Sequence, residues 1–325
     1  MNDINFLKCQ EGHTTRLPAL GGVPEQVHVF DVATIEAVNA ALAARRPLLV
    51  RGEPGTGKSQ LAHAVAVELG RPFVSSVVDA RTEPGDLLWR FDAVERLAEA
   101  QLAAALQLDP ERIGARLAID RYLRPGPLWW GFDWNDAKGR AHHGQSGAYE
   151  EPAGWDAAQG GVVVLIDEID KAETDVPNSL LEALGSGRFT PPGRVEPVRM
   201  QGAPPLVVIT TNEERALPDA FLRRCLVLYL SLPTDDQQLV DLLALRGGSH
   251  FSHADKEILQ EAARQLVADR TEAKNRNWLP LPGQAEYLDL VRAVLALHPD
   301  DKEAQSQTLT RIGRFVLRKH PEATA

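Results

Sequence analysis

Cysteine is scarce in this sequence: Cys9 and Cys225 are the only two among 325 residues. They carry no paired spacing, so a disulfide framework is not expected and a reducing compartment is. Long apolar runs are missing as well. None approaches the length of a membrane span, and the start "MNDINFLKCQEGH" lacks a basic region followed by an apolar one. The expected location is the cytoplasm, with no membrane partner. Positive charge is in deficit: 35 Lys and Arg against 45 Asp and Glu leave a net charge of −10. That balance argues against nucleic acid as a partner, although one basic loop can sit in an acidic protein. Internal repeats and low-complexity tracts are absent too. What remains is an ordinary soluble balance, 44% hydrophobic and 25% charged, long enough for a large core domain and a smaller one.

Residues 1–28 are punctuated by glycine and proline and read as an extension, a strand and a loop. "ATIEAVNAALAARR" has helical periodicity, and Pro47 marks its end. "PLLVR" reads as a buried strand running into "GEPGTGKS", "QLAHAVAVEL" as a helix closed by Gly70, and "PFVSSVV" as a second strand. This alternation predicts a parallel sheet covered by helices. Between about 83 and 160 the rhythm breaks into an Ala/Leu-rich helix and a loop-rich stretch, read as an insertion. "GVVVLIDEID" then supplies the most apolar strand, "TDVPNSLLEALGSG" a helix, residues 188–202 a hairpin with a Pro-Gly turn, and "PLVVITTN" another buried strand. After "LPDAFLRRC" and a last strand, residues 233–325 are helical and form a candidate second domain. The expected α/β core covers 29–232.

"GEPGTGKS", Gly52 to Ser59, fits G-x-x-x-x-G-K-[ST] between a strand and a helix. Gly52, Gly55 and Gly57 let the backbone curl through Glu53, Pro54 and Thr56 so that the loop's N–H groups, none of them from Pro54, point at phosphate oxygens. Lys58 then reaches the β- and γ-phosphates, the Ser59 hydroxyl ligates Mg²⁺, and the helix that starts there adds its positive end. "VVVLIDEID" ends in Asp167, placed to support Mg²⁺, and in Glu168, placed to polarise an attacking water. The competing reading for these acids is a strand cap or a pairing with surface lysines. "VVITTN" ends in Asn212, which suits a hydrogen bond to the γ-phosphate and the water, or merely stops a strand. Arg223 and Arg224 close a short helix, where they suit its negative end or else reach into another subunit.

Taken in order, "GEPGTGKS", "LIDEID", "TTN" and "LPDAFLRRC" resemble the AAA+ ATPases. The likeness is narrowest to the branch with MoxR-type ATPases, magnesium chelatase, McrB and dynein, and it covers Ala33 to the C-terminus. The branch carries an insertion after the second core strand and a hairpin before the sensor strand, as this chain does. The resemblance implies a P-loop NTPase αβα sandwich with a parallel sheet and a smaller all-α lid. It implies ATP and Mg²⁺, with Asn212 as first sensor and Arg224, or failing it Arg223, as a finger entering the neighbouring site. It further implies a homo-oligomeric ring, commonly a hexamer, that remodels a client protein. A separate von Willebrand factor A protein is a common companion of such ATPases; the D-x-S-x-S motif of that domain is missing from this chain.

Two departures stand out. The family's second-sensor arginine has Ala285 in its place, with Lys274, Arg276 and Arg292 as weakly supported substitutes. Trp89 occupies "DLLWR" where relatives often show D-L-L-G, and no aromatic-hydrophobic-Gly pore loop follows the second strand. Trp129, Trp130, Trp134 and Trp155 concentrate in the insertion and read as its own small core rather than a partner patch. His142, His143, His250 and His253 read as solvated loop residues, and Arg311, Arg314 and Arg318 as a solvated helix face opposite Ile312, Phe315 and Val316. Rival readings are a slow nucleotide switch within a defence or signalling system, a McrB-like nucleic-acid motor, and a monomeric small-molecule kinase.

Overall fold

Along the chain, the computed structural model describes residues 5–19, 25–107, 109–141 and 161–320. Its elements are β1 (Thr14–Leu17), β2 (Gln26–Val29), α1 (Val32–Ala44), β3 (Leu48–Gly52), α2 (Lys58–Leu69), β4 (Phe73–Val77) and β5 (Trp89–Phe91). There follow α3 (Ala93–Ala105), α4 (Pro110–Arg116), β6 (Leu123–Pro125), α5 (Pro127–Phe132), α6 (Trp134–Ala141), β7 (Val163–Asp167) and α7 (Asp175–Ser186). The remainder is β8 (Arg188–Phe189), β9 (Val198–Arg199), β10 (Leu206–Thr211), α8 (Asp219–Leu222), β11 (Leu226–Leu230), α9 (Asp236–His250), α10 (Lys256–Asn275), α11 (Gln284–Leu297) and α12 (Lys302–Val316). Aspartate starts many of the helices. Asp92, Asp109, Asp235, Asp255 and Asp301 each accept a backbone N–H at the head of α3, α4, α9, α10 and α12. A carboxylate there satisfies an orphan donor and faces the positive helix end.

The chain divides into two units, the first made of residues 1–8, 33–51 and 62–228. Its centre is a five-stranded sheet in the order β11-β3-β10-β7-β4. β10 runs parallel to both neighbours, with Val208 opposite Leu48 on one side and Leu165 on the other, and β4 pairs parallel with β7. β10 is buried along its whole length and β7 along all but its last residue. Strands covered on both faces read as continuous apolar runs, which is why "VVVLI" and "LVVIT" are so hydrophobic.

The insertion departs from expectation. Trp129, Trp130 and Trp134 do not make a satellite core; α5 packs against β4 and β7, and these three with Phe132 join the main core with Val164, Ile166 and Ile209. A Cβ on Gly131 would lie 3.1 Å from Val164 Cγ2, so glycine sets how closely α5 approaches the sheet. Trp155, His142 and His143 lie outside the described residues. The hairpin of β8 and β9 has two residues a side, Arg188 facing Arg199 and Phe189 facing Val198. Its Pro-Gly turn places Gly193 at φ +75°, and Arg194 extends from the turn to Asp136 Oδ2 at 2.7 Å. Asp136 Oδ2 also accepts from Trp129 Nε1 at 2.9 Å, while Arg140 and Arg194 both lie over the Trp129 ring.

The second unit gathers residues 9–32, 52–61 and 229–325. α9 to α12 bury Leu243, Ile258, Ala262, Leu266, Leu290, Val291 and Leu309 against one another. Tyr287 donates its hydroxyl to Leu259 O at 3.1 Å in the middle of that bundle. The N-terminal stretch holds two strands, not one: β1 and β2 pair antiparallel, with Thr14 opposite Val29 and Leu17 opposite Gln26. Gln60 Nε2 donates to Gln26 Oε1 and Val27 O, both at 3.3 Å, fixing this hairpin to the start of α2.

Candidate functional site

In the first unit, β7 carries the acids to the end of the sheet. Thr210 on β10 organises them: its Oγ1 donates to Asp167 Oδ1 at 2.5 Å and accepts the Glu168 N–H at 2.9 Å. Glu168 itself sits at φ +60°, a left-handed conformation costly for a non-glycine residue and characteristic of functional positions. Its Oε1 accepts from Asn212 Nδ2 at 3.2 Å and its Oε2 from Lys171 Nζ at 2.5 Å. That hydrogen bond with Glu168 is the main reason the Lys171 ammonium is pushed above its ordinary value. Asp167, Glu168 and Asn212 are therefore brought together within one unit.

The sequence reading missed three supports of this cluster. Asp170 is buried and accepts the backbone N–H groups of Asn212 at 3.3 Å and Glu214 at 2.9 Å, so it holds the turn that presents Asn212. Lys171 and Thr210 complete the set. No local signal marks them: "DEIDK" offers one more acid and a lysine after the strand end, and nothing in it separates a buried Asp170 from a solvated one.

Arg223 and Arg224 are exposed at the end of α8. The backbone beneath them is capped from elsewhere: Arg46, just past α1, donates Nε to Arg224 O at 3.0 Å and Nη2 to Arg223 O. A guanidinium already serves the negative end of α8, which leaves the two later arginines out of that role. Arg224 also lines a cavity of about 560 Å³ with Arg45, Arg46, Leu184, Met200 and Pro205. Cys225 follows, buried, its thiol pushed up to about 12 by burial, so it is unreactive at neutral pH.

In the second unit, residues 52–59 form a curled loop at the head of α2. Gly52, Gly55 and Gly57 have φ of +147°, +77° and +92°, values that L side chains resist. A Cβ on Gly52 would lie 2.1 Å from Leu230 O, which excludes any larger residue. Lys58 is buried and donates Nζ to Gly52 O at 2.8 Å and Glu53 O at 2.9 Å, and Thr56 Oγ1 donates to Glu53 O at 2.9 Å. The loop thus closes around its own lysine. Pro54 lies beside Gly283, and Ser59 falls in the first turn of α2. A Cβ on Gly55 would come within 3.1 Å of Ala285 Cβ, so a methyl group faces the loop where the family resemblance leads one to expect an arginine.

The remaining expectations resolve simply. His250 is not a solvated loop residue; it ends α9, is half-buried, and has its pKa lowered chiefly by burial. His253 is exposed. Phe315 does not face the bundle but is 67% exposed under Arg314, and Arg318 pairs with Asp269 at 2.9 Å. Among the described residues, no group of three or more His, Cys, Asp or Glu is placed to hold a metal ion, and no helix is long and apolar enough to cross a membrane.

Comparison with known proteins gives one family match. The model of the AAA domain, dynein-related subfamily, matches residues 47–225. No match is found among the curated proteins. Solved structures with a related course of the chain include a variant of Thermotoga maritima RuvB, at 16% identity and TM-score 0.46, covering 86% of this chain and 68% of that one. The Thermotoga maritima RuvB Holliday junction branch migration motor gives 16% identity and TM-score 0.44, with 86% and 68% covered. A Cytophaga hutchinsonii protein named as an ATPase gives 13% identity and TM-score 0.39, with 88% and 80% covered.

Proposed function

This chain belongs to the AAA domain family, dynein-related subfamily, and from that premise we propose that it hydrolyses ATP with Mg²⁺ as a MoxR-like ring that remodels, activates or assembles a client protein. The observation that carries the proposal is the Glu168–Asn212 pair above Asp167, held by Thr210 and Asp170. A carboxylate fixed in a strained backbone beside a side-chain amide suits a base that orients one water.

The residues divide the work by their chemistry. Gly52 to Gly57, apart from Pro54, offer backbone N–H groups to the phosphates, and Lys58 exchanges the Gly52 and Glu53 carbonyls for phosphate oxygens. The Ser59 hydroxyl and the Asp167 carboxylate are hard oxygen donors of the kind Mg²⁺ takes, and Thr210 fixes Asp167 in orientation. When bound, Mg²⁺ neutralises charge on the phosphates. Glu168 accepts the proton as the water oxygen bonds to the γ-phosphorus and the bond to ADP breaks, while Asn212 keeps water and carboxylate aligned. For that, Glu168 Oε2 must leave Lys171.

Arg224, with Arg223 beside it, is proposed to enter the next subunit's site, where such a finger is worth about 10³ to 10⁵ in rate. What supports this is that both are exposed while Arg46 caps α8 in their place. A hexameric ring and a separate von Willebrand factor A partner are part of the same reading. Mixing tests it: Glu168→Gln and Arg224→Ala proteins, each inactive alone, should regain about a quarter of parental hydrolysis at equal ratio, because one interface type in four is complete. Mixtures that stay inactive would remove the shared site.

A further inference from the structure

Among the described residues of the second unit, two charged side chains are buried, Lys58 and Arg270, and both lie at the phosphate loop. Lys58 belongs to the loop; Arg270 comes from α10. Its Nη1 donates to Pro282 O at 2.8 Å and its Nη2 to Glu53 Oε2 at 2.5 Å. Among the described residues its buried Nε has no hydrogen-bond partner, so those two contacts hold the guanidinium in place.

The loop has an electrostatic difficulty. It is built to receive a polyanion, yet it carries a carboxylate at Glu53 and abuts a second at Glu286, whose Oε2 would lie 3.8 Å from a Cβ on Gly55. Each carboxylate has a separate remedy. Glu286 accepts the Gly283 N–H at 3.0 Å at the head of α11, where the positive helix end offsets it. Glu53, about half-exposed, pairs among the described residues with Arg270 alone. Ala285 brings no charge, and Arg246 is spent on Gln284 Oε1.

We propose that Arg270 is a positioning residue for nucleotide binding: it neutralises Glu53 and ties it back, so that the loop presents N–H groups and Lys58, not a carboxylate, to the phosphates. The proposal rests on the ATPase reading above. It makes nucleotide affinity depend on the charge of residue 53 and residue 270 jointly, rather than on either alone.

The test is a double-mutant cycle on the full chain, read as the Kd for a slowly hydrolysed thiophosphate analogue of ATP with Mg²⁺, with thermal melts as a folding check. Arg270→Met should weaken binding about tenfold or more, the effect of one uncompensated charge beside a polyanion at an effective dielectric of about 20. Glu53→Gln alone should bind more tightly than the parent. The double variant should return to within about threefold of the parent, since removing both charges removes the coupling. Arg270→Lys, which keeps the charge, should stay close to the parent and serves if Arg270→Met does not fold. If Glu53→Gln fails to rescue Arg270→Met, Arg270 braces the fold or touches the nucleotide itself, and the proposal falls. It falls equally if Arg270→Met binds as the parent does. A parent that binds no nucleotide overturns the ATPase reading, and this proposal with it.

Discussion

Replacing His28 gives a pH test of the second unit. The imidazole lies on β2 with Nδ1 3.4 Å from Gln60 Oε1, its ring edge-on to Phe30 at 4.7 Å, and its buried Nε2 has no partner among the described residues. Burial, the largest influence, lowers its pKa from 6.5 to about 4; Gln60 and Asp31 oppose this, while Arg246 and His250 add to it. The folded chain therefore binds fewer protons here than the unfolded chain between about pH 6.5 and 4. The stability that His28 contributes as a neutral side chain is present above pH 6.5 and lost as pH falls through that window. At about 1.4 kcal/mol per pKa unit, lowering the pKa from 6.5 to about 4 is worth up to about 3 kcal/mol. Urea denaturation of parent and His28→Gln at pH 7.5, 6, 5 and 4.5 should show the parent losing more stability on acidification, the gap changing by about 2–3 kcal/mol. Parallel curves, or a His28 imidazole that titrates near 6.5 by NMR, would refute the reasoning.

Lys171→Met should raise basal hydrolysis about twofold to tenfold, because Glu168 Oε2 is no longer held by the ammonium at 2.5 Å; phosphate release at saturating ATP measures it, and a slower variant would make Lys171 part of the machinery. Gly52→Ala should destabilise by about 2–4 kcal/mol, since its Cβ would meet Leu230 O at 2.1 Å at a φ of +147°; an unchanged urea midpoint would contradict that geometry.

Much of the parallel sheet was legible because its strands are buried on both faces, and such strands spell continuous apolar runs ended by polar residues. "VVVLID" and "LVVITT" mark β7 and β10 for this reason, and Asp167 and Asn212 follow from where those runs stop. The P-loop was legible because its glycines are forced by positive φ, which no other residue adopts as cheaply. α5 was not. Six residues carrying Gly131 and preceded by Gly126 have too little length for periodicity, and only contact with β4 and β7 makes "PLWWGF" a core helix. The β1–β2 pair was missed for a similar reason: four residues per strand give too few alternations to separate from loop. Asp170, Lys171 and Arg270 lie beyond local pattern altogether. Arg270 is separated from Glu53 by 217 positions, and nothing in "QLVADRTEAK" distinguishes a buried arginine from a solvated one.

The central claim is that this chain hydrolyses ATP with Glu168 as the base. Phosphate release by Glu168→Gln, set against its affinity for ATP, tests it most directly. The account predicts hydrolysis reduced by about 10²-fold or more, with ATP still bound as tightly as by the parent. A Glu168→Gln protein that releases phosphate at the parental rate would contradict it.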